Sequence, residues 1–529
     1  MQPVVMAIDA GTGSCRCLLF NLKGEEVASA SAEWTHPAAP GAAGGFDFDT
    51  NANGRLLDSV IKRCLASYGG TPGDIKAISS TSMREGVVLY DKAGEVLWAC
   101  PNIDARASVE AEALVQEGLA DLIFDTAGDW VSITTPARLK WLEAHRPDIL
   151  ERTVKFGMIS DWAATRLTGE YFTEPSAGSS TALFDLSSRT WSHDLFGRLG
   201  LDIAITPTVV ESGSPVGAVT AAAAERTGLL AGTPVIAGGG DTQLGLLGLK
   251  RGRFDATLFG GSFWQMTTLL DHPLVDPARG PRTLCHAAPG LWMVEGIGFL
   301  SGLSLRWFRD AFWQAEVSAA AKSGISPFSL MEKSAQNIPP GANGVTAVMA
   351  SVMQSDGWTQ APPTLLGFDF NRPEQTGRAA ATRAIMEAAA YAAGEHLKML
   401  ERLSGNIFPQ IVFSGGASQG SLWPKIVADV LGRPVVIPNN SESTSVGCAM
   451  LAAVGAGLFS NLDDAGAMAS GPRQQIEPDL RHTAAYEDLS QKWLRLNDAM
   501  IGLGESGLAT PMWRPAGARR KKSLLAAGH

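Results

Sequence analysis

The stretch that most restricts the fold is the one around Asp9-Ala10-Gly11-Thr12-Gly13-Ser14-Cys15-Arg16. An apolar run, Val4 to Ile8, meets a carboxylate and two glycines, and the chain then re-enters an apolar run, Cys17 to Phe20. This reads as strand, tight turn and strand. Gly11 and Gly13 permit positive φ and close backbone approach, so successive amide N–H groups can converge on one concavity that holds phosphate oxygens. Thr12 and Ser14 add hydroxyl donors, and Arg16 adds a planar fork of charged donors. Asp9, at the strand end, is placed to reach a hydrated Mg²⁺ that accompanies a nucleotide. This is a phosphate loop without a Walker lysine. A plain β-hairpin closed by glycines is the other reading, and one Gly-x-Gly turn does not separate the two.

Repetition separates them. Ala256-Thr257-Leu258-Phe259-Gly260-Gly261-Ser262-Phe263-Trp264-Gln265 again runs from an apolar strand through two glycines and a hydroxyl and leaves as a strand. The two turns lie nearly half the chain apart, which predicts two domains of related architecture facing one another across a nucleotide. A third turn, Ser414-Gly415-Gly416-Ala417-Ser418-Gln419, leaves a buried strand and precedes a helix over Leu422 to Leu431. Packed glycines there make a flat surface on which an adenine ring can lie.

The remaining elements follow an α/β pattern. Asn21 to Glu25 is a hairpin turn and Glu26 to Trp34 a third strand of an antiparallel meander; Asn51 to Tyr68 has helical spacing and leads into a strand over Ile75 to Ser80. That strand ends in Ser82-Met83-Arg84-Glu85-Gly86, where arginine can donate to, and glutamate accept from, the hydroxyls of a polar small molecule. A solvated surface turn is the alternative. Asp104 and Arg106 stand at a loop-to-helix junction, where Asp104 is equally an N-cap. Residues 107–230 read as mainly helical, with Trp130, Trp141 and Trp162 as core or cleft-wall residues. Thr233 to Ala237 is a buried strand that breaks into Gly238-Gly239-Gly240-Asp241-Thr242-Gln243, glycines beside an acid that points into open space or caps a helix. Gly298 to Phe312 reads as a cleft-lining helix, Arg383 to Leu403 as a long helix bearing Glu387, and Ala449 to Ala456 as a small-residue helix packed on a sheet.

At 529 residues the chain exceeds what one core usually supports. The formal net charge of −10 argues against a general nucleic-acid or anionic-membrane binder, so any phosphate site is local. No apolar stretch is long enough to span a bilayer, and the opening residues run directly into a strand, so the expectation is a cytosolic chain without a signal peptide. The six cysteines are too sparse for a disulfide framework, and Cys15 and Cys17 read as buried thiols. Arg519-Arg520-Lys521-Lys522 reads as a solvated basic run.

Together the Asp9-x-Gly11-Thr12-x-Ser14-x-Arg16 loop, the Gly240-Asp241 turn, the Gly260-Gly261-Ser262 loop and the Gly415 to Gln419 turn resemble the FGGY family of carbohydrate kinases over nearly the whole chain. The resemblance implies an α/β chain of two actin-like (ribonuclease H-like) ATPase domains, 1–246 and 247–529, the latter ending in the basic tail 515–529, with Mg·ATP in the cleft between them. It implies Asp241 as the base that accepts the proton of a primary hydroxyl, and Asp9 with Asp241 as holders of Mg²⁺ through water. Asp9, Gly11, Thr12, Gly13, Ser14, Arg16, Gly260, Gly261, Ser262, Gly415, Gly416, Ala417 and Gln419 would bind ATP. Met83, Arg84, Glu85, Asp104, Trp130, Asp241, Thr242 and Gln243 would bind a small sugar or polyol. Some relatives are controlled by sugar-phosphotransferase proteins. Ser262 stands where many members carry threonine, which keeps the hydroxyl. An actin-like ATPase acting on a protein partner uses the same ATP apparatus and would turn over ATP without a small acceptor.

Overall fold

The first glycine turn joins strands Val4–Ala10 and Ser14–Asn21, which pair antiparallel so that Asp9 lies opposite Arg16. The computed structural model describes residues 3–253, 255–357, 359–439, 442–469, 471–514 and 516–518; the basic run at 519–522 lies outside them. Val5, Met6 and Ile8 are fully buried, each stabilising the fold by about 1.5–3 kcal/mol, which explains why an uninterrupted apolar run sits in mid-sheet. The sheet runs Pro215–Ala218, Pro234–Gly240, Ile75–Ser82, Val4–Ala10, Ser14–Asn21, Glu26–Glu33. Its last three strands form the antiparallel meander, and Ile75–Ser82 and Pro234–Gly240 add in parallel on the other side.

The second glycine turn repeats this plan. Ala256–Gly260 and Trp264–Leu270 pair antiparallel, Trp292–Gly298 extends the meander, and Ile411–Ser414 and Val435–Pro438 add in parallel. Arg282–Cys285 and Pro472–Ile476 complete a seven-stranded sheet at its two edges. In each half a helix returns the chain from meander to parallel strand: Thr50–Ser67 in the first and Arg378–Ser404 in the second. Asp49 caps the former, accepting from the amides of Asn51 and Ala52.

Each half then sends one further helix into the junction. Asp241–Gly248 follows the last strand of the first sheet and Ser443–Gly455 follows Val435–Pro438 of the second. The two cross almost backbone to backbone: a Cβ on Gly248 would stand 1.9 Å from the Ser443 carbonyl, and one on Gly447 would stand 2.0 Å from that of Leu244. No side chain fits there, so glycine at both positions sets the crossing distance. Val446, Ala449 and Ala453 also pack with Val5, Ala7 and Ile236 of the first sheet, so the core of the first half includes part of the second.

Residues 107–230 are mainly helical as expected, with short strands among the helices. Helices such as Thr135–His145 and Ile159–Thr168 are present, but Val87–Tyr90, Val96–Cys100 and Lys155–Met158 form a three-stranded sheet, and Phe172–Thr173 pairs with Thr208–Val209. Strands this short hold too few residues to show alternation. All six cysteines are buried thiols. The segment after the last long helix, Leu480–Glu505, runs along both halves: Trp513 stacks on Phe299 at 4.7 Å, and the Gly517 carbonyl accepts from Trp130 Nε1 at 3.1 Å.

Candidate active site

The backbone of the first turn is open on one side. Its carbonyls are drawn the other way: Gly11 accepts from Trp34 Nε1 at 3.0 Å, Gly13 from the Trp34 amide at 3.1 Å, and Thr12 lies 2.6 Å from His36 Nε2. The amides of Thr12 and Gly13 donate to no protein atom among the described residues, as an anion-receiving turn requires. Beside it, Asp9 is bound by Arg16 through Nη2 at 2.7 Å and Nε at 3.2 Å, and Arg16 Nη1 reaches Glu442 at 2.5 Å. Glu442 precedes the helix Ser443–Gly455, so this contact joins the first turn to the second half of the chain.

The second and third turns share one wall. Gly415 has φ 97°, and a Cβ there would lie 2.9 Å from the Gly260 carbonyl, so the two strand ends meet with no space for a side chain. Gly260, Gly261 and Ser262 on one side and Gly416, Ala417 and Gln419 on the other line a single cavity of about 510 Å³, with Phe328 and Trp423 in its walls. Two apolar rings and a glycine floor give a planar heterocycle a place to stack. The Ser262 carbonyl accepts from the amides of Gly302 and Leu303, which fastens this turn to the start of the helix Ser301–Phe312.

Asp241 opens the helix Asp241–Gly248, with Gly240 in the capping position. Its Oδ1 accepts from the Thr242 amide at 2.7 Å and lies 3.6 Å from Arg84 Nε, while 43% of the side chain stays open. Enclosure by the cleft pushes its carboxyl up to about 6; Arg84 opposes that rise and the Asp9 and Glu85 carboxylates add to it. Gly240 permits the approach, since a Cβ there would meet Arg84 Cγ at 3.1 Å. Thr242 Oγ1 lies 3.2 Å from Gln265 Oε1, and Gln243 is fully buried, donating to the Cys285 carbonyl at 3.3 Å.

Arg84 and Glu85 diverge because Glu85 adopts left-handed backbone, φ 60°. Arg84 Nη1 bonds Glu295 Oε1 at 2.6 Å, and Arg282 Nε bonds the same oxygen at 2.6 Å. Arg282 Nη1 reaches Glu85 at 2.9 Å and Asp129 at 2.8 Å. Burial works against the charge of Arg282, but Asp129, Glu295 and Glu85 more than offset it. Sequence reasoning singled out Arg84 and Glu85 and passed over Arg282, Glu295 and Asp129. The signal for Glu295 was a lone acid in the otherwise apolar strand Trp292–Gly298.

Three other expected residues make their contacts elsewhere than at Asp241. Met83 packs in the core of the first sheet. Trp130 is buried with its indole N–H on Gly517, while its neighbour Asp129 faces Arg282. Asp104 is not an N-cap: Ala107 occupies that position of the helix Ser108–Gln116, and the Asp104 carboxylate accepts from the Phe46 amide at 2.8 Å and Arg106 Nε at 2.7 Å, with Arg138 3.5 Å away. Asp104 therefore braces its loop, whose Asn102 Nδ2 donates to Thr12 of the first turn at 3.1 Å.

Two glycine turns on repeated sheets, with an acid and an arginine on the floor between them, define an actin-like phosphotransferase fold. The model for the FGGY family of carbohydrate kinases, N-terminal domain, matches residues 4–248 and that for the C-terminal domain residues 259–456; the chain belongs to this family. It is thus a carbohydrate kinase, an ATP-using phosphotransferase with an alcohol acceptor. Over 526 residues it is 38% identical to the autoinducer-2 kinase of Klebsiella pneumoniae subsp. pneumoniae, covering 98% of each chain. In fold it is similar to a ligand-bound xylulose kinase from Lactobacillus acidophilus (TM-score 0.84, 18% identity, 96% of this chain and 100% of that one). It is also similar to Plasmodium falciparum glycerol kinase with ADP (TM-score 0.81, 17% identity, 94% and 98%). No helix among the described residues is long and apolar enough to cross a membrane.

Proposed function

We propose that this kinase transfers the terminal phosphoryl of ATP to the primary C5 hydroxyl of autoinducer-2, 4,5-dihydroxypentane-2,3-dione. The observation that carries the choice of acceptor is the 38% identity to an autoinducer-2 kinase along essentially the full length of both chains. The stretches Ser82 to Gly86, Asn102 to Ala107, Met158 to Trp162, Gly261 to Gln265 and Leu305 to Asp310 resemble that kinase. A small, oxygen-rich acceptor also suits a floor of charged donors and acceptors around Arg84 and Glu85.

In this reading the chain divides at about residue 246, and ATP lies with its base against Gly415, Gly416, Ala417 and Gln419 and its phosphates between the Gly11 to Ser14 and Gly260 to Ser262 turns. The Thr12, Gly13 and Ser262 amides, which donate to no protein atom among the described residues, and the Ser14 and Ser262 hydroxyls, with Arg16, stabilise charge that spreads over the phosphoryl oxygens in a loose transition state. Asp241 orients the acceptor hydroxyl. An alcohol is far too weak an acid to ionise beforehand, so the proton passes to the Asp241 carboxylate late in the transfer. Asp9 and Asp241 are hard oxygen donors that fit Mg²⁺, and they would hold it through water; no cluster of three or more acidic, histidine or cysteine groups suited to direct chelation occurs among the described residues. Bound Mg²⁺ supplies neutralisation of phosphate charge. The site is cytoplasmic in this reading, and control by a sugar-phosphotransferase protein belongs to it.

The fold similarity to a xylulose kinase favours one second reading, a kinase for another small sugar or polyol such as xylulose, ribulose or glycerol. ATP-dependent phosphorylation of dihydroxypentanedione, run beside those three acceptors, decides between them. A kcat/KM for dihydroxypentanedione at least tenfold above the others supports the proposal, and preference for any of the three overturns it.

A further inference from the structure

Arg84 stands between two carboxylates and is held by the one that the proposed mechanism does not use. It lies 2.6 Å from Glu295 and 3.6 Å from Asp241. Arg16 shows the closed alternative: although the partly exposed Glu442 takes its Nη1 at 2.5 Å, it closes on Asp9 Oδ2 through two other nitrogens, at 2.7 and 3.2 Å. An arginine closed on an acid in that way favours its charged form and makes it a weaker acceptor of a hydroxyl proton.

We propose that Glu295 is a positioning residue for the transfer: by holding Arg84 from the side away from Asp241, it keeps the Asp241 carboxylate out of a closed ion pair and open to the acceptor hydroxyl. This rests on the reading of Asp241 as the base. The geometry makes Glu295 a firm anchor. The residue is fully buried in the strand Trp292–Gly298, and Arg282, on the adjacent edge strand, bonds the same Oε1. Arg282 is in turn fixed by Glu85 and Asp129. The groups facing Asp241 are then Arg84, Asp9 and Glu85, and those facing Glu295 are Arg84 and Arg282. Glu295 comes from the second half of the chain and Arg84 from the first, so the anchor also ties the acceptor site to the sheet that carries the second phosphate turn.

Replacing Glu295 with the isosteric amide removes the competing charge and releases Arg84 toward Asp241. For Glu295→Gln, kcat/KM for the acceptor is expected to fall about 10–100-fold while the Kd for an ATP analogue changes less than about twofold. In an Arg84→Met background the same substitution is expected to add almost nothing, because the residue it acts through is gone. Glu295→Asp, which keeps the charge, should recover most of the loss and serves as the test variant should Glu295→Gln fail to fold. A crystal structure of Glu295→Gln should show Arg84 within hydrogen-bond distance of Asp241. Losses that add fully in the Arg84→Met background, or a lowered melting temperature with kcat/KM unchanged, overturn the inference. If Asp241→Asn retains activity, the reading of the base fails instead, whatever Glu295 does.

Discussion

Asp241→Asn keeps the shape of the proposed base and removes its charge, so it separates chemistry from folding. The amide retains an oxygen to accept from the Thr242 amide, the 2.7 Å bond that orients the side chain at the helix start. What it loses is the capacity to take a proton, a contribution of about 10²–10⁴ in rate, or about 2.7–5.4 kcal/mol at 1.36 kcal/mol per decade. Stability should move the other way or not at all. The folded carboxyl titrates near 6, above the 3.8 of a free aspartate, because its enclosure disfavours the charged form. A carboxylate raised in this way costs stability once pH exceeds its unfolded value, and at pH 7 the amide removes that cost; loss of the attraction to Arg84 at 3.6 Å partly cancels the gain. The assay is coupled ADP release with saturating ATP and acceptor, beside thermal melting and titration with an ATP analogue. The expected result is a kcat lower by two to four decades, unchanged nucleotide affinity and a melting temperature no lower than that of the parent protein. Turnover within tenfold of the parent, in a folded protein, would refute the assignment of Asp241.

Ser262→Ala removes a hydroxyl but leaves the backbone of its turn, which Gly302 and Leu303 hold in place, so kcat should fall by less than about tenfold in the same assay. Gly415→Ala places a methyl 2.9 Å from the Gly260 carbonyl at φ 97°, and should raise the KM for ATP and lower the melting temperature, with a cost of at least about 1–3 kcal/mol from the backbone conformation alone. Asp161 is pushed up to about 8 by burial, with Glu174 adding to the rise. Its folded value lies above its unfolded one, so its contribution to stability declines as pH rises from about 4 through 8. The melting-temperature difference between Asp161→Asn and the parent should therefore shift in favour of the variant between pH 5 and pH 8, and a constant difference would contradict this.

The parts of the fold that could be read from the chain are those set by local chemistry. Gly11, Gly13, Gly260 and Gly261 mark breaks after an apolar strand, and the repeat of that pattern disclosed a repeated sheet; none of the four adopts the positive φ expected of Gly11 and Gly13, and only at Gly260 would a Cβ clash, 2.5 Å from the Phe413 ring. The helix over Leu422 to Leu431 was expected at its observed bounds, since its apolar spacing is uninterrupted. In the sheet of Val87–Tyr90, Val96–Cys100 and Lys155–Met158 the third strand was lost among helices, since four residues are too few to show alternation. The anchor between Arg84 and Glu295 spans 211 positions, and no local pattern reports a contact of that reach. Asp104 shows the converse limit. Its place before a helix suggested a cap, yet Arg106 and Arg138, both buried, compete for the same carboxylate and win. The crossing at Gly248 and Gly447 belongs with these distant contacts, for each glycine has its reason only in the other helix.

The measurement that bears most directly on the whole account is a crystal structure with a non-hydrolysable ATP analogue and an acceptor bound together. The account predicts the base stacked against Gly415 to Gln419, the phosphates between the two repeated turns, and the acceptor's primary hydroxyl within about 3.2 Å of Asp241 and in line with the terminal phosphorus. A nucleotide that contacts only one of the turns, or a terminal phosphorus facing away from Asp241, would contradict it.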